Sequence, residues 1–228
     1  MKQLKTQAII LSRINFKETD RIITVITPDY GKLRLIARGS RSLKSKLAGS
    51  IELFTTNEIS FIKGRGEIAT LVSGRLDKYY PDILKDVNRV TLGYELLKDI
   101  NRHTEDRVDK DYYYLLEGTF ALLGDLSFSV GIIRVWFILR LLAMSGHGPN
   151  LSSDIYGHEM NQDSYFSFDI EKMAFYTDPN GKFMADHIKL MRLALSSPSG
   201  LDVFRVASAD KLGGDILPLL IMMRDQYL

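Results

Sequence analysis

The chain has 228 residues, of which 45% are hydrophobic and 25% are charged, and these values are typical of a folded protein with room for two modest domains. It contains no cysteine, which excludes disulfides, thiolate metal sites and cysteine nucleophiles and favours a reducing cytoplasm. Its longest apolar stretch, residues 130–144, is too short for a membrane span and carries two arginines. No secretory signal pattern opens the chain, so a cytoplasmic protein is expected.

Charge is distributed unevenly between the two parts of the chain. Residues 1–80 hold 15 Lys and Arg against 7 Asp and Glu, whereas residues 81–228 hold 15 against 21. A basic segment joined to an acidic one indicates a nucleic-acid- or membrane-binding module attached to a second domain. No amphipathic helix presents the basic residues, and this favours nucleic acid over membrane.

The first 80 residues read as five strands separated by turn signals. Runs rich in β-branched and apolar residues are followed by turn residues such as Pro28-Asp29-Tyr30-Gly31 and Gly64-Arg65-Gly66. The predicted strands cover residues 5–16, 20–27, 32–39, 51–63 and 67–76, with a loop over residues 39–50. Five short strands with one long loop suit a closed barrel, either an OB-fold, which we favour, or an SH3-like barrel.

Beyond residue 80 the hydrophobic period becomes helical. Six residues spaced three or four apart form one apolar helix face, namely Ile83, Val87, Val90, Tyr94, Leu97 and Ile100. Further helices are predicted over residues 112–123, 129–145 and 183–196, followed by two shorter ones. The helix over residues 129–145 is apolar almost all round, so it is expected to be the buried central one. Residues 150–182 read as a polar connector and a β-hairpin over residues 165–177. The predicted class is therefore α+β, with an OB-fold domain at 1–80 and a helical partner-binding domain at 81–228.

The third predicted strand places its cations on one face. Lys32, Arg34 and Arg38 alternate with apolar residues, so they lie about 6–7 Å apart along the strand, close to the phosphate spacing of a nucleic-acid strand. No acidic residue occurs over residues 32–48. A solvated basic surface is the simpler reading, but we favour phosphate binding. The predicted DNA-binding residues are Lys32, Arg34, Arg38, Arg41, Lys44, Lys46, Lys63 and Arg65.

Aromatic residues are scarce in this basic segment, which holds six of the 23 in the chain. Single-strand stacking platforms use several exposed aromatic rings. We therefore predict binding through phosphates, with little sequence preference and a strong salt dependence. Phe16 and Tyr30 lie beside turns and are the candidates for base stacking, although burial in the barrel is the simpler expectation for each.

No pattern for catalysis is present. There is no phosphate-binding glycine loop and no nucleophile elbow, and His158-Glu159 fails as a zinc-protease motif because position 162 is Gln. One connector contains four side chains that could bind a metal: His147, Asp154, His158 and Asp163. A polar loop without a metal is the simpler interpretation, and we favour it. We predict no enzyme activity, no catalytic residue, no metal and no cofactor.

The helical part offers a possible partner surface. Arg134 and Arg140 share an apolar helix, and an arginine at the edge of apolar groups suits an acidic, hydrophobic peptide tail. A plain core with internally paired arginines is the simpler reading. The proposed tail groove comprises Arg134, Phe137, Arg140 and Met222.

Several motifs together resemble RecO, the family of bacterial recombination mediators. They are the segments 18–27, Gly31-Lys32, 37–41 and 44–49, then Leu53-Phe54, 64–71, Leu141-Leu142-Ala143 and Gly148-Pro149-Asn150-Leu151. The resemblance is strong over residues 7–80, looser across the helices and weak after about residue 180.

This resemblance implies an OB-fold followed by a helical domain and a non-enzymatic role at the nucleoid. That role comprises binding single- and double-stranded DNA, annealing strands, and loading recombinase onto strands coated with single-strand-binding protein. The implied partners are RecR and the acidic C-terminal tail of the coating protein. Two alternatives stay open: a protein-interaction adaptor that does not bind DNA, and an RNA-binding OB-fold protein.

One departure from the family pattern concerns zinc. Many relatives carry two C-x-x-C pairs, which would fall near Asp154 and Gly157 and near Phe175 and Asp178. With no cysteine, a tetrathiolate site is impossible here. We expect packing to hold the segment instead, by Tyr156, Tyr165, Phe166, Phe168, Phe175 and Tyr176.

Overall fold

The computed structural model describes residues 2–104 and 109–228, which form two compact units, Met1–Asp125 and Leu126–Leu228. The acidic pair Glu105 and Asp106, interpreted from the sequence as solvated charges, lies outside the described residues. The units divide later in the chain than the predicted boundary after residue 80, because the first two helices pack against the barrel.

The first unit contains a closed five-stranded barrel in the order β1-β2-β3-β5-β4. Strands β3 and β5 pair in parallel and the other neighbours are antiparallel. This arrangement confirms the predicted OB-like barrel and the α+β class. The strands are β1 (Gln3–Phe16), β2 (Asp20–Thr27), β3 (Gly31–Ala37), β4 (Thr55–Ile62) and β5 (Ile68–Tyr79). The predicted start of the fourth strand at residue 51 is wrong, because Ala48–Ile51 forms a 3-10 turn.

Alternation along each strand builds the barrel core. On β3, Leu35 and Ala37 point inward and are fully buried, whereas Arg34 points outward and is exposed, as is Arg38 in the turn directly after the strand. Inward residues of the other strands complete the interior, among them Ile10, Ile23, Val25, Ile59, Phe61 and Leu71. The barrel therefore buries its apolar face and leaves the cations of β3 outside.

Two helices, α1 (Val87–His103) and α2 (Lys110–Gly124), complete this unit. The predicted apolar face of α1 is partly wrong, since Val87 is 80% exposed and Tyr94 is 51% exposed. A 3-10 turn, Pro81–Lys85, precedes the helix, and the Asp86 carboxylate caps α1 by accepting from the Arg89 backbone N–H at 2.9 Å. The 3-10 turn separates Ile83 from the helix, and within α1 the buried stripe is formed by Leu92, Leu96, Leu97 and Ile100, of which the last two belong to the predicted face.

Gly93 lies where α1 meets the barrel, and replacing it should destabilise the first unit. A Cβ at this position would stand 2.6 Å from Cε1 of Phe54, a buried ring on a residue with φ of 58°. We expect Gly93→Ala to cost about 1–3 kcal/mol in the free energy of unfolding, measured by urea denaturation. Gly214→Ala is the control, because a Cβ there meets nothing within 4 Å and should stabilise its helix by about 0.5–1 kcal/mol. Equal effects of the two substitutions would contradict this interpretation.

The second unit is built around α3 (Val130–Met144), which the sequence predicted as the buried central helix. Helices α4 (Ala185–Ser196) and α5 (Ala209–Tyr227) pack against it. The two shorter C-terminal helices that we predicted are instead one 3-10 turn, Val203–Arg205, and the single long α5. The fourth helix begins two residues later than predicted, because Phe183 and Met184 pair with the hairpin as a third strand.

The predicted hairpin is present as β6 (Tyr165–Asp169) and β7 (Ala174–Thr177), which pair antiparallel, and β8 (Phe183–Met184) adds to β6. Of the six aromatic residues predicted to hold this segment, Phe166 and Phe175 are fully buried. Tyr156 and Tyr165 are 73% and 51% exposed, so the prediction is wrong for them.

Two aspartates organise the loops of this segment. The Asp154 carboxylate accepts the backbone N–H groups of Tyr156 and His158, each at 2.8 Å. The Asp178 carboxylate accepts the Ser167 hydroxyl at 2.7 Å and the Asn180 N–H at 2.9 Å. Among the residues that the structure describes, no three His, Cys, Asp or Glu side chains form a group that could hold a metal ion. The four connector residues considered above as an alternative metal site are therefore not brought together.

The Asp154 carboxylate should make the stability of the second unit depend on pH. Burial alone would raise the pKa of Asp154, but the His158 and Tyr156 N–H groups and the His158 side chain outweigh it and lower that pKa. A lowered folded-state pKa contributes stability above the unfolded pKa of about 3.9, and this is lost as the pH falls through the folded value. We expect Asp154→Asn to be less stable than the wild type at neutral pH, with the gap closing in acid. Denaturation at pH 7 and at about pH 3 measures this, and a gap independent of pH would contradict it.

Candidate nucleic-acid interface

Ion pairs neutralise one group of cations on the barrel unit. Lys5 and Arg75 contact the Glu58 carboxylate at 2.9 and 3.6 Å, and Lys78 contacts Glu117 at 3.1 Å. The Lys5 hydrogen bond and the two positive charges lower the pKa of Glu58, and the Glu117 carboxylate raises the pKa of Lys78. Each of these three cations has a carboxylate partner within the chain, and two carboxylates balance most of their charge.

A second group of cations has no carboxylate within ion-pair distance among residues 2–104 and 109–228. All of its members are exposed, and they lie on β3, on the loop after it and on the β4–β5 connection. They are Arg34, Arg38, Lys44, Lys46, Lys63 and Arg65. The β4–β5 connection leads into β5 at Ile68, which pairs with Arg34 of β3. The connection therefore lies near one end of β3 and the basic loop follows its other end, so cations without an ion-pair partner among the described residues lie at both ends of the strand.

Lys32 does not belong with this group, which corrects its assignment to DNA contact. Its ammonium donates to the Asn101 carbonyl at 3.1 Å and to the Thr104 carbonyl. Both carbonyls lie at the C-terminal end of α1, where the helix dipole favours a cation. The side chain therefore ties the barrel to the helix.

Arg41 anchors the basic loop to the β1–β2 turn. Its backbone N–H donates to the Thr19 carbonyl at 2.9 Å, and its guanidinium Nη1 donates to the Glu18 carbonyl at 3.0 Å. The Asp20 carboxylate accepts the Gly39 N–H at 2.8 Å. Because Arg41 is exposed and a guanidinium has five N–H donors, donors remain for a phosphate.

The two predicted stacking candidates differ in access. Tyr30 packs edge-on against the core ring of Phe61, with centroids 5.3 Å apart, so it is part of the barrel interior. Phe16 is 37% exposed, and the Lys17 ammonium lies 5.5 Å from its ring centroid. Only Phe16 of this pair is placed to meet a ligand.

The predicted tail groove is not assembled as expected. Phe137 is fully buried in the core of the second unit and has no surface to offer a peptide, which corrects its assignment. Arg140 is partly buried and donates to the Leu195 carbonyl at 2.9 Å, Arg134 is partly buried, and Met222 is 47% exposed. Sequence periodicity placed these residues on helices but could not show which side the core occupies.

Comparisons with known proteins agree with this architecture. Residues 1–80 match the family model described as the recombination protein O N-terminal domain. A DNA repair protein RecO from Chlorobium limicola is 25% identical over 180 residues, covering 78% of this chain and 69% of that protein. Proteins of the same name from Listeria welshimeri and a Roseiflexus species are 27% and 32% identical, each covering 64% of this chain.

The chain is thus similar to RecO-family proteins over much of its length, and its first 80 residues match the N-terminal model of that family. The resemblance found in the sequence motifs is thereby confirmed, and the matching relatives carry the name of a DNA repair protein. The chain spans 57% and 51% of the length of the Listeria and Roseiflexus relatives. No helix among the described residues is long and apolar enough to cross a membrane.

Proposed function

We propose that this chain binds DNA without sequence preference through the unmatched cations of its barrel. It would act at the nucleoid as a non-enzymatic mediator of repair, annealing complementary strands and helping to load recombinase onto DNA coated with single-strand-binding protein. Similarity to RecO proteins supports the mediator role, and the same similarity makes RecR and the coating protein's C-terminal tail the proposed partners.

The observation that carries the DNA-binding proposal is the division of the cations. If the basic surface served only solvation, there would be no reason for some of its cations to form ion pairs with carboxylates while others have no such partner among the described residues. Here Lys5, Arg75 and Lys78 are paired with carboxylates, whereas the cations of β3 and its two flanking segments have no carboxylate partner among residues 2–104 and 109–228. Phosphate oxygens would supply the missing negative charge, and such contacts carry no base specificity.

Equilibrium binding of labelled oligonucleotides tests the proposal. Fluorescence anisotropy with single-stranded DNA, duplex DNA and RNA of one sequence is measured over a range of salt concentrations. We expect DNA binding whose affinity falls steeply with salt, with a slope of roughly −4 to −5 if about six phosphates are neutralised. Absence of binding at low salt would favour the adaptor alternative, and a strong preference for RNA would favour the RNA-binding alternative.

The mediator role needs its own assay. Complementary strands coated with single-strand-binding protein should anneal faster when this chain is present, because it brings two phosphate backbones together against their repulsion. Binding of DNA without any acceleration would limit the function to DNA binding and refute the annealing role.

A further inference from the structure

The loop after β3 contains a tight turn whose tip carries a leucine. The Ser45 backbone N–H donates to the Ser42 carbonyl at 2.9 Å, which closes a β-turn with Leu43 and Lys44 at its two central positions. The Leu43 side chain is fully exposed, and it is the most exposed of the large apolar side chains that the structure describes. The turn therefore holds an apolar group in solvent, where the packing of the barrel gains nothing from it.

Both sides of this turn are fixed to the barrel unit. On the N-terminal side, the Ser42 N–H donates to the Gly39 carbonyl at 3.1 Å, and Arg41 is bonded to the β1–β2 turn. On the C-terminal side, the Leu47 N–H donates to the Ser45 hydroxyl at 3.2 Å, and the Leu47 side chain packs against the barrel core. The anchored loop therefore presents its apolar tip at a defined position.

Cations flank the leucine along the chain. Lys44 follows Leu43 directly, Arg41 precedes it by two residues and Lys46 follows it by three, and all of these side chains are exposed. Lys44 and Lys46 have no carboxylate within ion-pair distance among residues 2–104 and 109–228. An apolar side chain between basic groups is the arrangement by which some DNA-binding proteins insert a residue between base pairs and hold the neighbouring phosphates.

We propose that Leu43 is a wedge that inserts between neighbouring base pairs where a mismatch interrupts the stacking of a DNA duplex, while Lys44 and Lys46 hold the flanking phosphates. This inference rests on the proposed DNA binding and adds a preference for duplex DNA that contains a mismatch. The wedge differs from the phosphate contacts because it requires the base stack to open.

Two opposing free energies decide where the wedge can insert. Transfer of a leucine side chain from water into the base stack gains a factor of about 10 to 100 in affinity. Separating two stacked base pairs costs a comparable factor, so insertion into an intact duplex brings little net gain. At a mismatch the stack is already weakened and the cost is smaller, so part of the gain from burying the leucine remains.

The charge of the loop and the small size of its apolar tip favour DNA over a protein partner. Residues 32–48 include no acidic residue, so the loop attracts a polyanion. One leucine buries too little apolar area to hold a protein by itself, since stable protein interfaces use about 20–30 residues on each side. A single apolar side chain is, in contrast, enough to separate one base step.

The experiment compares Leu43→Ser with the control Val87→Ser. Val87 is an exposed aliphatic residue on α1, so the control makes a similar change away from the loop. Affinities are measured by fluorescence anisotropy for a matched duplex, for the same duplex with one central mismatch, and for a single strand. We expect the wild type and the control to bind the mismatched duplex about 5-fold more tightly than the matched one. Leu43→Ser should lose this preference, with a change of less than about 2-fold for the other two DNA forms and an unchanged salt slope, because the lysines remain.

A fluorescent aminopurine base placed beside the mismatch reports the opening of the stack directly. The wild type should increase its fluorescence and Leu43→Ser should not. Leu43→Met restores an apolar side chain and should recover most of the increase. Because Leu43 is fully exposed, neither substitution should disturb folding, and circular dichroism checks this.

Equal affinity of the wild type for the two duplexes would overturn the proposal while leaving DNA binding itself intact. A mismatch preference that survives in Leu43→Ser would also overturn it, as would a loss of the same size for all three DNA forms, which would make the leucine part of a general contact. Failure of the wild type to bind any DNA would instead refute the proposed function.

Discussion

Replacing Arg34 and Arg38 by alanine should weaken DNA binding about 10- to 100-fold at moderate salt and reduce the magnitude of the salt slope by about 1.4–1.8. Each arginine is exposed on the outer face of β3, and the described residues provide no ion pair for either. An exposed contact of this kind is worth about 0.5–1.5 kcal/mol, so that two give a loss of about 10- to 100-fold, and each neutralised phosphate contributes about 0.7–0.9 to the slope. Titration of labelled oligonucleotides at several salt concentrations measures both quantities.

The matched control removes the same charge from a neutralised site. Lys5 contacts Glu58 and Lys78 contacts Glu117, and both cations lie on the same barrel, so Lys5→Ala/Lys78→Ala changes the net charge equally. We expect this control to change the salt slope by less than about 0.5, because these cations are not available to phosphates. Equal effects of the two double variants would show that net charge, rather than the β3 face, determines binding.

Replacing Trp136 by alanine should destabilise the second unit by about 3–5 kcal/mol, the largest effect that we expect for its core. The indole is fully buried in α3, and its Nε1–H donates to the Ser197 carbonyl at 2.9 Å. The substitution removes a large apolar surface, leaves a cavity and deprives a buried carbonyl of its donor. Chemical denaturation followed by far-UV circular dichroism, with hydrogen exchange on α3 and α4, measures the loss.

Two further variants separate the contributions at this position. Trp136→Phe retains much of the ring but not the N–H group, so it should be less damaging than alanine. Met222→Ala is the surface control, because Met222 is 47% exposed and should cost less than about 1 kcal/mol. A loss for Trp136→Ala no greater than that of Met222→Ala would contradict the packing described here.

Local patterns were sufficient to predict much of this fold. The alternation on β3 correctly separated Leu35 and Ala37 from the cations, because successive side chains of a strand point to opposite faces. The nearly continuous apolar run of α3 correctly indicated a buried helix, and turn residues bounded the β6–β7 hairpin. Motifs in the first 80 residues were also enough to indicate the family.

Other features depended on contacts between residues far apart in the chain. Periodicity placed Val87 on a buried face, but the side of α1 that packs against the rest of the unit runs through Leu92 and Leu96, and Val87 is exposed. Phe137 was assigned to a groove, yet its helix is enclosed on that side. In both cases the helical period of the apolar residues was predicted correctly. The side of the helix that faces the core was set by packing against neighbouring elements, which sequence spacing does not identify.

The composition and order of residues alone determined that the first 80 residues are a basic barrel, since charge, alternation and turn signals are local properties. Only the tertiary structure decided which cations are available to a ligand. Lys5 and Arg75 form ion pairs with Glu58, and the end of α1 binds Lys32, whereas Arg34 and Arg38 have no carboxylate partner among the described residues. Coulomb attraction and side-chain packing act over a few ångströms in space, and the distance along the chain does not predict them.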